Sequence, residues 1–400
     1  MMNLQQLTIH PFPTASRHDT CLLEAQGRFF EIGKDTAELL EYLQANGGDE
    51  ESIVRYAEVH NGKPSKEEIV TFLDTFGKQL DANDNSNGNR RKSFLYHKDF
   101  IPNTVVGYCS TALKPLFQPW LMAVVVVVFA GLESSYFLHY RDMVEQTQVN
   151  IYLIAGLYIF LALSSLVHEF GHAAACRYYG MPHGNVGLGL YLNLPVFYTD
   201  VTHVWKLSRR QRCVVNFGGV YFQMLLLIPL LTAAIIGGNG LLDYMILLMN
   251  FNFALTLNPF FKFDGYWMMT DLLGIANLRK KGNEWLKYLF YKVRGKNIPV
   301  RPYILSLAPW AKWGLAVYTV VVNLFFCFYF FYVIPQFFIH FYRTFPDRFL
   351  QLMTELSYRQ MPSWSNLQQI ILQLLFLFLF LYMTYRMVTP LIRRLRWAKA

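Results

Sequence analysis

Apolar and polar positions change their rhythm once, sharply, along this chain. Up to about residue 85 they alternate or recur at helical spacing, and no apolar run approaches the roughly 20 residues needed to span a bilayer. Cys21-Leu22-Leu23-Glu24 and Arg28-Phe29-Phe30-Glu31-Ile32, separated by Ala-Gln-Gly, predict two short strands and a turn. Helices are predicted over Asp35 to Leu43, stopped by Asn46-Gly47-Gly48, over Asp49 to His60, and over Ser65 to Leu80, the last opening with the capping pair Ser65 and Glu68. Asp81 to Asn89 carries Ala82 as its one core-forming residue and is expected to be a flexible linker. The pattern thus predicts a small α/β domain over 1–85, a linker over 86–114 and a membrane-embedded part over 115–400.

From about 115 onward the apolar runs lengthen to membrane-spanning size. Six spans are expected: Pro115 to Leu138, Ile151 to Tyr179, Cys213 to Ile236, Leu241 to Phe261, Trp313 to Ile334 and Ile370 to Val388. Between the second and third, Gly184, Gly187 and Gly189 alternate with apolar residues, which fits a short hairpin or re-entrant segment with an edge to offer an extended substrate. The fold expected is therefore a polytopic α-helical membrane protein with about six transmembrane helices, a hairpin or re-entrant segment and a small winged-helix-like N-terminal domain.

Composition supports this and removes rivals. Of the 400 residues 54% are hydrophobic and only 16% charged, against roughly 25% charged in an ordinary soluble domain. The net charge of +9 falls in clusters flanking apolar runs, so it marks the cytoplasmic sides of membrane helices and not a nucleic-acid surface. With six spans, Arg90-Arg91-Lys92 with Lys98, the 206–212 segment, Arg279-Lys280-Lys281 and Arg393 to Arg396 all fall on one side. Both termini are then expected in the cytoplasm, although Arg343, Arg348 and Arg359 reduce the contrast with the other side. Met1 to Gln6 has no basic segment followed by an apolar run, so no cleaved signal peptide is expected. The cysteines Cys21, Cys109, Cys176, Cys213 and Cys327 are isolated and form neither a disulfide framework nor a cysteine zinc site.

The chemistry is concentrated in Leu166-Val167-His168-Glu169-Phe170-Gly171-His172, within the second expected span. Histidines four residues apart project from one helical face and can share a zinc ion, and Glu169 between them can serve as general base to a water on the metal. Three ionisable groups on one turn of a spanning helix are costly unless they do something. A catalytic zinc usually has a third protein ligand, and the best candidate is Asp264, where Asn258-Pro259 breaks the fourth span and Gly265 permits an unusual backbone turn. Asn258 is a candidate for hydrogen-bonding the substrate backbone or a group behind the metal ligands. His183, Asp200 and His203 are read as structural or substrate-facing, since three ligands are already supplied.

His168-Glu169-Phe170-Gly171-His172 and Asn258-Pro259 with Asp264-Gly265 resemble the two signatures of the site-2 protease family of intramembrane zinc metalloproteases. Pro195 to Val201, Trp205 to Arg212 and Asp264 to Leu278 resemble, more narrowly, the bacterial peptide zinc metalloproteases linked to peptide maturation and export. The N-terminal hairpin and helices resemble PqqD-like peptide-recognition domains, with a regulatory or spacer domain as the alternative. Many family members carry Gly-Pro where this chain has Gly218-Gly219. The resemblance implies a zinc metalloendopeptidase with His168, His172 and Asp264 on the metal and Glu169 as the catalytic base. It implies a multi-pass protein of the bacterial cytoplasmic membrane. Its substrate is expected to be a peptide precursor or membrane-associated peptide, with or without a leader, beside peptide export machinery. Regulated cleavage of a membrane-anchored regulator and a non-catalytic export or immunity partner are the alternatives.

Overall fold

A computed structural model of the chain describes residues 7–17, 19–60, 63–84, 94–140, 151–191, 194–237, 240–295 and 302–397. The expectations for Met1 to Gln6, for residues 85–89 and for Arg90 to Lys92 lie outside them.

Three antiparallel strands, β1 (Leu7–Pro11), β2 (Thr20–Ala25) and β3 (Arg28–Gly33), form a sheet in that order, followed by α1 (Lys34–Ala45), α2 (Glu50–Val59) and α3 (Lys66–Asp84). β2 and β3 are the two strands read from the sequence, joined through Gln26 and Gly27 at positive φ. The first strand, five residues ending at Pro11, was not anticipated. Asp49 caps α2 by accepting from Ser52 N at 2.9 Å. Both arms of the α3 capping pair are made, Ser65 N to Glu68 Oε2 at 3.0 Å and Glu68 N to Ser65 Oγ at 3.3 Å. Leu23, Leu40, Leu43 and Ile69 close the core of this part.

The linker expected over 86–114 is corrected from residue 94 on. β4 (Phe94–Ile101) and α4 (Asn103–Leu113) occupy it, and α3 already takes the residues up to Asp84. β4 finds its partner some ninety residues later. It pairs antiparallel with β5 (Val186–Tyr191), which pairs with β6 (Leu194–Thr199). The expected hairpin is thus the inner and outer strand of a three-stranded sheet in the order β4-β5-β6. Gly187 belongs there for space, because a Cβ would lie 2.3 Å from the Tyr198 ring.

The remaining helices are α5 (Pro119–Ser135), α6 (Ile151–Tyr178), α7 (Arg209–Gly237), α8 (Gly240–Thr256), α9 (Asp264–Leu273), α10 (Leu278–Val293), α11 (Pro309–Phe328), α12 (Ile334–Ser357) and α13 (Trp364–Trp397). Among the described residues, five helical stretches are long and apolar enough to cross a membrane, Pro119–Leu138, Tyr152–Tyr178, Arg209–Gly237, Pro309–Ser357 and Trp364–Tyr382, as fits a polytopic membrane protein. The fourth expected span is the shorter apolar helix α8, 17 residues ending at Thr256 and not at Phe261. Its length of about 25 Å, at 1.5 Å per residue, falls short of a hydrocarbon core of roughly 30 Å.

The chain forms two compact units, 1–319 and 320–400. In the first, α6 and α7 form the most extensive helix pair. Their backbones touch at Gly171 and Gly218, where a Cβ on Gly171 would stand 2.2 Å from the Gly218 carbonyl oxygen. Small residues at such a crossing let two apolar helices approach without side chains between them. In the second unit α12 and α13 pack through phenylalanines. All five cysteines are free, as expected.

Candidate metal centre

α6 carries His168, Glu169 and His172, which are 9%, 8% and 7% exposed. One helical turn separates the imidazoles, so both point the same way, toward the start of α9. There Asp264 Oδ2 lies 2.9 Å from His168 Nε2 and 3.2 Å from His172 Nε2, and the two Nε2 atoms are 3.1 Å apart. Three ligand atoms therefore form a nearly equilateral triangle. Among the described residues, these three form the one cluster of His, Cys, Asp or Glu able to hold a metal ion.

What stands behind each imidazole fixes how it presents itself. His172 Nδ1 donates to the Val215 carbonyl at 2.8 Å, and His168 Nδ1 donates to Gln223 Oε1 at 3.2 Å. With both protons held on Nδ1, both Nε2 lone pairs face the triangle, the tautomer a metal requires. Gln223 is itself held by donating to Ser164 Oγ at 2.9 Å and to Asn252 Oδ1 at 3.2 Å. Room for His168 comes from Gly219, where a Cβ would sit 2.3 Å from Cε1 of the ring. Gly218 and Gly219 thus serve helix contact and imidazole clearance respectively.

α8 ends at Thr256, just before Asn258-Pro259, and Asp264 is the first residue of α9. The chain leaves α8, turns at Asn258, whose Oδ1 accepts from Phe260 N at 2.7 Å, and re-enters a helix at Asp264. Asn258 therefore shapes the turn that delivers Asp264. Gly265 has an ordinary helical backbone and not an unusual turn. It is required because a Cβ would lie 2.0 Å from the Leu257 carbonyl oxygen.

The Glu169 carboxylate makes no hydrogen bond among the described residues, although its backbone carbonyl accepts from Thr199 Oγ1 of β6 at 3.3 Å. Glu169 is thus a buried carboxylate on the same helical turn as His168 and His172. The other loop candidates have contacts of their own away from the triangle. His183 bonds Ser110 Oγ at 3.1 Å and the Gly184 carbonyl at 3.0 Å, and burial pushes its imidazole below the ordinary value. Asp200 accepts from Thr202 N at 3.1 Å, and His203 meets the edge of Phe29. Gln223 and the Val215 carbonyl escaped the sequence reading. The signal for Gln223 was its lone amide inside the apolar stretch Val220 to Leu231.

No family model matches the chain, and no solved structure matches it. One curated protein is similar, the Bacillus subtilis (strain 168) protein named "Putative peptide zinc metalloprotease protein YydH", 26% identical over 131 residues. The match covers 32% of this chain and 52% of that protein, so the chain spans about half the length of the relative it matches.

Proposed function

We propose that the chain is an intramembrane zinc metalloendopeptidase of the site-2 type, acting on a peptide precursor or membrane-associated peptide in the maturation or export of ribosomally made peptides. The observation that carries the reading is the triangle of His168 Nε2, His172 Nε2 and Asp264 Oδ2 beside the unpartnered Glu169. The zinc metalloprotease named in the similarity supports it. Two neutral imidazoles and one carboxylate are a donor set suited to zinc, with a fourth position left for water.

When bound there, zinc supplies Lewis acidity toward the scissile carbonyl and a water of lowered pKa. The rest falls to the protein's own residues. Glu169 takes the water proton at its carboxylate and hands it to the leaving amine. Gln223 and the Val215 carbonyl keep the imidazole lone pairs turned inward. β6, the outer strand beside α6, offers an edge along which an extended substrate lies, and Asn258 hydrogen-bonds the substrate backbone. The N-terminal domain captures the peptide or its leader. The protein sits in the bacterial cytoplasmic membrane with both termini in the cytoplasm, and the metal centre is reached from that side.

The test is zinc analysis together with cleavage of candidate peptides by the full-length protein. Glu169→Gln should keep zinc and lose about 10²–10⁴-fold in cleavage rate. His172→Ala should lose the zinc. Zinc retained in His172→Ala, or Glu169→Gln cleaving at the wild-type rate, overturns the reading.

A further inference from the structure

We propose that the N-terminal segment Phe12–Arg17 and Arg212 are positioning elements for Asp264, so that the N-terminal domain is part of the scaffold of the metal centre as well as a module beside it. The proposal rests on the reading of Asp264 as a metal ligand.

α9 has ten residues and begins with Asp264, so the carboxylate sits where the rest of that helix is held. The far end is gripped from α7. Arg212 Nε donates to Asp271 Oδ1 at 2.6 Å, and Asn216 Nδ2 donates to Asp271 Oδ2 at 3.0 Å, which uses both carboxylate oxygens. Arg209 closes the helix terminus by donating to the carbonyls of Asp271 at 3.1 Å and Leu272 at 2.9 Å, a favourable place for a cation. α7 also supplies Val215 and Gln223 to the two histidines. One helix thus sets both sides of the triangle, provided that α9 stays fixed to it.

Arg212 and Asp271 have side chains only 4% and 5% exposed. Phe12 is part of what covers them. Its ring lies 5.0 Å from the Arg212 guanidinium, and the Trp205 ring lies 5.3 Å from it. Trp205 in turn meets Trp267, one turn from Asp264, at 6.2 Å. The segment carrying Phe12 is bonded at both of its margins. Ala15 N donates to the Gly274 carbonyl at 2.9 Å, Ala308 N to the Ala15 carbonyl at 3.0 Å, and Arg17 N to the Ser306 carbonyl at 2.7 Å. On the other side Phe12 N donates to the Thr20 carbonyl at 3.2 Å and Thr20 Oγ1 to the Phe12 carbonyl at 2.8 Å, which ties the segment to the start of β2. A buried ion pair holds its geometry only while water is excluded and the donors stay aligned. Phe12 meets the first condition from the segment between β1 and β2, and the Arg212 fork meets the second.

The experiment compares wild type, Phe12→Leu, Phe12→Tyr and Arg212→Lys, each full-length and in detergent. Zinc affinity is read by chelator competition, cobalt(II) substitution reports ligand geometry, and hydrogen exchange reports on residues 264–273 in the metal-free proteins. Phe12→Leu keeps the apolar cover but loses the ring over the guanidinium, so zinc affinity should fall about twofold to fivefold. Phe12→Tyr should restore it. Lysine cannot reproduce the Arg212 fork, so Arg212→Lys should cost about tenfold or more, with faster exchange in α9. A role confined to overall stability would lower the melting temperature and leave the cobalt spectrum and zinc affinity of the folded protein unchanged, and that result overturns the proposal. Wild type that binds no metal overturns the proposal and the metal reading together. Wild type that binds metal and cleaves nothing overturns hydrolysis alone, and the affinity shifts still decide the positioning role.

Discussion

The helix pair α6–α7 and the hairpin α12–α13 are built from similarly apolar sequence but are joined in opposite ways. α6 and α7 meet backbone to backbone at Gly171 and Gly218, and the polar side chains Ser164, His168, His172 and Gln223 line the seam. α12 and α13 meet ring to ring, Phe337 with Phe376 at 3.9 Å and Phe338 with Phe380 at 5.1 Å, with isolated polar ties from Gln373 to Thr344 and from Asn366 to the Arg348 carbonyl. A glycine contact leaves almost no freedom in separation, and so fixes the groups along it. A contact between phenylalanines fills space and can be filled by something else. The first kind is needed where chemistry depends on tenths of an ångström, and the second suffices where a helix has only to be held.

That contrast predicts graded damage. The largest effect is expected at Gly265, where a methyl group would meet the Leu257 carbonyl oxygen at 2.0 Å and the obstacle is backbone that cannot rotate away. Gly265→Ala should displace Asp264 and lower zinc affinity toward the upper end of the about 10–100-fold typical of losing support behind a metal ligand. Competition with a chelator measures it. Gly219→Ala comes next. Its methyl would crowd the His168 ring at 2.3 Å, but an imidazole can tilt where a carbonyl cannot, so a loss of about tenfold is expected. Should both variants bind zinc like wild type, the glycine contacts do not set the site.

Phe376→Leu tests the other side of the comparison. A ring exchanged for a branched aliphatic of smaller volume should cost less than about 1.5 kcal/mol in the hairpin and leave zinc affinity where it was. A zinc defect in this variant would mean that the two modes of packing are not functionally separate.

The histidine motif was legible by residue type and spacing, and Asp264 only through its pairing with that motif. It was less informative about what holds them. Gln223 is a single amide within an apolar run, and nothing local says that it faces His168. Gly265 looked like a turn residue, whereas its role is a close approach to Leu257 that only the folded chain reveals. β4 was taken for linker because its partner strand begins at Val186, and pairing over that separation leaves no mark on the local pattern. The N-terminal hairpin and helices were readable for the opposite reason. Their caps and turns at Asp49, Ser65, Glu68 and Gly27 are local devices.

A third kind of contact sharpens the comparison and carries the smallest expected effect. Glu24 of β2 accepts from Lys206 at 2.7 Å and from His10 at 3.2 Å, joining the N-terminal sheet to the turn before α7 through charge and not through glycine or ring packing. Partial burial pushes the Glu24 carboxyl up, but the hydrogen bonds from Lys206, His10 and Thr8 outweigh it and leave it below its ordinary value of 4.5. A depressed carboxylate stabilises the folded state above its unfolded pKa and loses that contribution as pH falls through the folded one. Glu24→Gln should therefore lower the thermal midpoint slightly at pH 7, by the equivalent of about 1 kcal/mol or less for a partly exposed pair. The gap from wild type should shrink as the pH is taken below 4.5 and Glu24 itself becomes protonated. A gap that stays constant with pH would mean that shape, and not charge, joins these two parts.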